Sequence, residues 1–171
     1  MTSSSVLFFL AALMVGLAGV LVGAEAALTR VSRVTIEQLK KDGNRKAGAL
    51  LDMLDEPAKY VNALLFAHLT LSTIAVVLVT AGSINATSDL GTGIAIAAIV
   101  MVVVGYVLLG VAPQTLGRQR AESISMSLGG LTRFVTMLLG PFSRLFILIG
   151  NAITPGKGFR EGPFSTQAEL R

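Results

Sequence analysis

Three uninterrupted apolar runs dominate this chain: Val6–Leu28, Tyr60–Gly82 and Thr92–Ala112. Each is about as long as the roughly 20 residues that a helix needs to cross bilayer hydrocarbon. Lipid offers no partner to a peptide N–H or C=O, so an isolated run of this kind must close its own hydrogen bonds as a helix. Composition agrees, since 53% of the residues are apolar and only 14% are charged, far from the balance of a soluble domain. The expected class is an all-α integral membrane protein with three transmembrane helices.

The distribution of charge sets the expected orientation. All 14 Lys and Arg residues lie between Arg30 and Lys59 or from Arg118 onward, and basic loops stay on the cytoplasmic side. The N-terminus and the stretch "SINATSDLG" are therefore expected outside, and 30–59 and the C-terminus inside, in a multi-pass protein of the cell (inner or plasma) membrane. A cleavable signal peptide is the rival reading of the first run, because "GAEAA" resembles a small-x-small cleavage site. No Lys or Arg precedes that run, however, and it continues for about 18 residues before Glu25, longer than a signal-peptide core.

Between the first two runs, Val34, Ile36 and Leu39, then Ala47, Leu50, Leu51 and Leu54, recur at near-helical spacing around a turn at Gly43. Two short amphipathic helices over about 30–58 are expected at the cytoplasmic face. The seven basic residues of Thr29–Lys59 are interleaved with five acidic ones, which argues against a nucleic-acid partner. The run 131–153 is long enough to span, but Arg133 and Arg144 lie inside it and Gly140-Pro141 interrupts it. An arginine at mid-bilayer costs about 2.5–3.5 kcal/mol or more. The segment 118–153 therefore reads as a bent juxtamembrane element whose arginines reach toward lipid phosphates. The membrane domain is expected over 1–155. Residues 156–171 read as a linker, with Ser165 or Thr166 and Glu169 opening a helix of a following cytosolic region.

Few groups carry chemistry. The absence of cysteine removes thiolate sites and disulfides. No nucleophile–base triad, phosphate loop or carboxylate pair occurs, so no enzyme is expected. Glu25 is the one acidic residue inside a predicted span, either facing a cavity or paired at the interface with a base such as Arg30. His68 is the only histidine and shares a helix face with Ser72, with Thr73 close by. It reads equally as a helix-to-helix hydrogen-bond partner and as a ligand, and alone it is too little for zinc. Pro113 cannot donate to the carbonyl four residues earlier, so main-chain oxygens near Leu109 and Gly110 can lose their partners. Alternatively, Pro113 only ends the helix at the interface. Glu25, Ser72, Thr73 and the carbonyls of Leu109 and Gly110 form an oxygen set suited to a hard cation.

The stretches "GAEAALTRVSRVTIEQLKKDGNRKAGALLDMLDEPAKYVNALL", "PQTLGRQRAE" and "GPFSTQAELR" together resemble the transmembrane domain of the CNNM/CorC family of cyclin M-like (hemolysin-like) magnesium transporters. The resemblance implies three membrane helices with a cytoplasmic-side belt of juxtamembrane helices, assembled as a homodimer or with a family relative. It implies a Mg²⁺ site at the glycine–proline break, Gly110 and Pro113, and a cytosolic part whose CBS domains bind nucleotide. Val111 stands where the family carries glutamate, His68, Leu69 and Ser72 where asparagine is frequent, and Val22, Gly23 and Ala24 where it has small hydroxyls. Two functions follow as expectations: a Mg²⁺ transporter or exporter domain, or a non-transporting dimeric scaffold anchoring a regulatory module.

Overall fold

The structure, a computed structural model, describes residues 3–153, with side chains as far as Phe142 and at Leu145. The expected linker over 156–171, its capped helix start and the Arg144 side chain lie outside the described residues. The described elements are all helical: α1 (Ser4–Leu28), α2 (Arg33–Lys41), α3 (Arg45–Asp55), α4 (Pro57–Thr87), α5 (Leu90–Val104), a π-helical segment (Gly105–Val111), α6 (Ala112–Gln119) and α7 (Ala121–Ile153). Three helices are long and apolar enough to cross a membrane: α1, α4, and the continuous helix Leu90–Gln119 formed by α5, the π segment and α6.

The first helix is the axis of the bundle. Ala11, Val15, Ala18, Val22 and Ala26 form a buried stripe along it, and their small size lets α4 and α6 approach closely. Leu21 and Ala24 meet Leu64 and Ala67 of α4 and Val135 of α7 in one core cluster. Ala11, Val79 and Ala97 make a second cluster toward the other end. The tightest approach joins α1 to α6. A Cβ added to Gly117 would fall on the carbonyl oxygen of Gly23 and stand 2.8 Å from Ala26 Cβ. The turn between α4 and α5 is equally close, since a Cβ on Gly93 would lie 2.7 Å from Ile84 Cα.

The segment between the first two spans folds as two helices because its caps are explicit. Asn44 accepts from the Lys46 N–H at 3.0 Å to start α3, and Gly43, with φ of 86°, turns the chain between them. Pro57 opens α4, where its missing N–H costs nothing. Ile36, Ala47, Leu50 and Met53 are buried with Leu28 and Val61 beneath this helical pair. Arg33 bridges Glu37 (3.1 Å) and Asp55 (2.8 Å), joining the start of α2 to the end of α3. Asp55, then Glu37, hold its guanidinium above its ordinary value.

α7 lies against this belt and the bundle. The arginine expected to reach lipid phosphate turns to protein instead: Arg133 donates to Asp52 Oδ2 at 2.9 Å and to the Ala49 carbonyl at 3.1 Å. A guanidinium within reach of a carboxylate and a helix carbonyl has no need of a phosphate. Pro141 lies within α7, which continues past it. The third span also departs from expectation, because Pro113 does not end it. The helix widens into the π segment before the proline and runs on to Gln119.

Substituting Gly117 with Ala should destabilise the domain by about 1–3 kcal/mol, the usual cost of overpacking. Gly130→Ala, where a Cβ would meet nothing within 4 Å, should be neutral or slightly stabilising. Thermal unfolding of both variants in detergent checks the contrast. A second expectation concerns Asp89, which caps α5 by accepting the Thr92 N–H at 2.7 Å. That bond, with the Thr92 hydroxyl, holds the Asp89 carboxyl below its ordinary value. A lowered folded-state value means that the contribution is complete above the ordinary carboxylate range and is lost as pH falls through the lowered value. Asp89→Ala should therefore lower the melting temperature by a few degrees near neutrality. Melting curves of the two proteins should converge in acid, below about pH 3.

Candidate cation cavity

Packing of Leu21 and Ala24 on Leu64 and Ala67 brings the last turns of α1 against the second and third turns of α4. The helical spacing then turns Glu25 and His68 toward one another, with His68 Nδ1 3.1 Å from Glu25 Oε2. Their side chains are only 15% and 19% exposed. The distance is that of a salt bridge when the imidazole is protonated, yet the direction is wrong for a hydrogen bond. Both atoms are shut off from solvent, and neither has an aligned partner among the described residues. Buried polar atoms of this kind call for an explanation, commonly an ion or water. Arg30, the alternative partner for Glu25, makes no ion pair among the described residues; Glu25 faces His68 instead.

These two side chains open onto a cavity of about 630 Å³ between α1, α4 and the third span. Ser72 lines it one helical turn beyond His68, its hydroxyl donating to the His68 carbonyl at 2.7 Å. That donation leaves the oxygen lone pairs available as acceptors. The third wall is the π segment, represented by Gly105, Leu109 and Gly110, followed by Gln114 and Arg118 of α6. Of the residues singled out in the sequence, Glu25, His68, Ser72, Leu109 and Gly110 therefore meet in one place. Thr73 does not, being exposed with its hydroxyl donating to the Leu69 carbonyl at 2.8 Å. Pro113 lies beside the cavity rather than on its wall, with its carbonyl oxygen 3.6 Å from a Cβ added to Gly23.

The π segment explains how a proline sits inside an apolar span. The Ala112 N–H reaches back five residues to the Val107 carbonyl instead of four. In that register a residue at 113 would have bonded to Leu108, so the carbonyl that Pro113 leaves without a helical donor is that of Leu108. Its oxygen faces α1, 3.1 Å from where a Cβ on Gly19 would stand. The same widening places the Gly105 oxygen 3.5 Å from a Cβ added to Gly110, so Gly110 keeps the inner wall open.

Chemically the lining offers one carboxylate, two hydroxyls (Ser72 and Thr29, the latter donating to the Ala26 carbonyl at 3.0 Å), one amide and main-chain groups, together with one imidazole and one guanidinium. Among the described residues no three His, Cys, Asp or Glu side chains gather as a metal cluster. The set is poor in charge, and its few polar groups stand in a largely apolar wall that includes Val22, Leu65 and Leu69. Sequence reasoning missed Gln114 and Arg118. Their spacing of four residues puts them on one helix face, but this matters only once the helix is known to continue past Pro113.

The sequence matches the family described as the Cyclin M transmembrane N-terminal domain over residues 9–171. It is also 37% identical over 158 residues to a UPF0053 protein of Mycobacterium bovis and, to the same extent, to one of Mycobacterium tuberculosis. Those alignments cover 92% of this chain but 36% of each relative, so the chain spans about a third of the length of the proteins it matches. A match over nearly the whole chain, on a chain with three helices long and apolar enough to cross a membrane, establishes what it is: the chain belongs to the cyclin M transmembrane-domain family.

Proposed function

We propose that this domain carries a hard divalent cation, Mg²⁺, through the membrane, with the ion resting in the cavity between Glu25, Ser72 and the π segment. The single observation that carries the reading is the buried Glu25 Oε2. It is one oxygen of the only carboxylate that lines the cavity, within salt-bridge distance of His68 yet without an aligned partner among the described residues. Magnesium takes oxygen ligands and dehydrates reluctantly, usually keeping several waters. A cavity of about 630 Å³ has room for the ion with much of its water. In this reading Glu25 supplies charge, and Ser72 with the main chain at Leu109 and Gly110 accepts hydrogen bonds from that water. The charge distribution supports an orientation with the N-terminus outside and the α2–α3 belt inside. A dimer in the cell membrane, with a nucleotide-binding CBS region following, completes the proposal by family analogy.

One observation favours a second reading, that of a non-transporting scaffold. Glu25 is the only carboxylate on the lining, and Arg118 and His68 share the cavity with it. A single negative charge offset by a guanidinium is a weak well for a dication.

Thermal stability of the purified domain against MgCl₂, with NaCl at matched ionic strength, decides between the two. Transport predicts a saturable, Mg²⁺-specific stabilisation approaching about 2.7 kcal/mol at 100 times the Kd. Glu25→Gln should weaken apparent affinity at least about tenfold, or about 1.4 kcal/mol, while leaving the metal-free melting temperature nearly unchanged. Ser72→Ala should weaken it less, and Thr73→Ala should be silent because that hydroxyl is outside the cavity. Mg²⁺ flux into liposomes should fall with Glu25→Gln in step with the binding loss. A MgCl₂ response no larger than that of matched NaCl, with flux indifferent to Glu25→Gln, would establish the scaffold reading instead.

A further inference from the structure

A second cleft, of about 590 Å³, opens between the α2–α3 turn and the start of α7. Its floor is apolar, formed by Leu39 and Met126, and its rim carries Arg45, Lys46, Ser123 and Glu122. Arg45 and Lys46 are exposed, and neither has an ion-pair partner among the described residues. That separates them from Arg33, Lys59 and Arg133, each of which is paired with a carboxylate. Glu122, the one carboxylate on the lining, offsets one of the two cations. The neighbouring Lys40 and Lys41 restore the balance to strongly positive, against Asp42 alone.

Main-chain geometry adds to this charge. The 11-residue α3 begins at Arg45, and the long α7 begins at Ala121, so both helix N-termini border the cleft. In α3 the Lys46 N–H is already taken by Asn44 Oδ1 and the Ala47 N–H by the Asn44 carbonyl. It is therefore the first turn of α7, whose N–H groups lack helical acceptors at the positive end of the helix, that favours an anion. The Ser123 hydroxyl, exposed in the first turn of α7, is a further donor at the rim. Basic rim, hydroxyl donor and apolar floor lie together at the end of the spans marked by Arg30 and Arg118.

We propose that this cleft binds a phosphate group, held by Arg45 and Lys46 with Ser123, and that the phosphate is the headgroup of an anionic membrane lipid. Arg forks onto phosphate oxygens in a bidentate manner and Lys adds a point charge. The apolar floor of Leu39 and Met126 suits the glycerol and upper acyl carbons that follow a lipid headgroup and has no use for a free inorganic ion. The site is independent of the cation cavity, since the two share no lining residue.

The test uses the full chain in neutral detergent micelles, following melting temperature against added phosphatidylglycerol, phosphatidylcholine or inorganic phosphate. Phosphatidylglycerol should give a saturable stabilisation in the wild type that phosphatidylcholine does not match. The double substitution Arg45→Gln and Lys46→Gln should weaken it at least about tenfold, the loss expected for charge-assisted bonds to phosphate. Lys40→Gln with Lys41→Gln removes the same charge outside the lining and should weaken it far less. Ser123→Asp places a carboxylate in the first turn of α7, which favours the helix itself yet opposes phosphate. It should keep the fold and lose the response, so the answer does not depend on the double variant folding. Inorganic phosphate matching phosphatidylglycerol would keep the phosphate site and assign it to free phosphate. Equal loss in the two double variants, a retained response in Ser123→Asp, or no excess over phosphatidylcholine would overturn the proposal.

Discussion

A peptide group in hydrocarbon must find a partner within the protein, and Pro113 breaks that rule where the apolar run of the third span ends and its helix continues. The rest of the domain is arranged around the repair. Widening the helix to a five-residue repeat over Gly105–Val111 moves the deficit to the Leu108 carbonyl. It also turns that oxygen toward α1, against Gly19. A side chain at position 19 would hold it away, so the glycine permits a Cα–H contact of the kind common between membrane helices. One turn further along, Gly23 and Gly117 bring α1 and α6 into backbone contact. Three glycines on two helices thus follow from one proline.

The repair and the cavity are two sides of the same distortion. A regular α-helix through 105–111 would present side chains toward α4 at every turn. The π segment instead lines the cavity with Gly105 and Gly110, which have no side chains, and Leu109, together with Glu25, His68 and Ser72. π-Bulges persist at functional sites because the local loss of helical energy is tolerated only where the altered geometry is used. Both faces of this one are occupied: its outer face meets α1, and its inner face closes the cavity.

The fold was legible in the sequence for a simple reason. Bilayer thickness and the need to satisfy the backbone translate directly into run length, and the three runs declare three helices. The belt was legible because Asn44, Gly43 and Pro57 are local signals with local causes. What the sequence did not disclose was the register of the third span. A proline near a basic end reads equally as a stop and as a kink, and the choice depends on whether a neighbouring helix can shelter the freed carbonyl. That in turn rests on Gly19, Gly23 and Gly117 being in contact, a tertiary fact. With the register hidden, Gln114 and Arg118 stayed outside the candidate set; Thr73 stayed within it because adjacency to Ser72 on α4 does not show which of the two faces the cavity. The pairing of Arg133 with Asp52 was hidden likewise, because the two residues lie 81 apart in sequence.

The charge on the cavity wall constrains how an ion can be held there. Two unit charges at about 4 Å interact by about 4 kcal/mol at the effective dielectric of a partly wet site. One carboxylate therefore contributes only a few kcal/mol per unit of ion charge, and Arg118 opposes it from the same lining. Removing the water of a small dication costs far more than this. The space available resolves the mismatch. At about 30 Å³ per water molecule, six waters occupy roughly 180 Å³, well within the 630 Å³ of the cavity. Hydroxyl, amide and main-chain oxygens then act on the hydration shell, where their number and direction matter more than their charge. A wall built from Ser72, Gln114 and the π segment, with a single carboxylate, is suited to a hydrated ion and ill suited to a bare one.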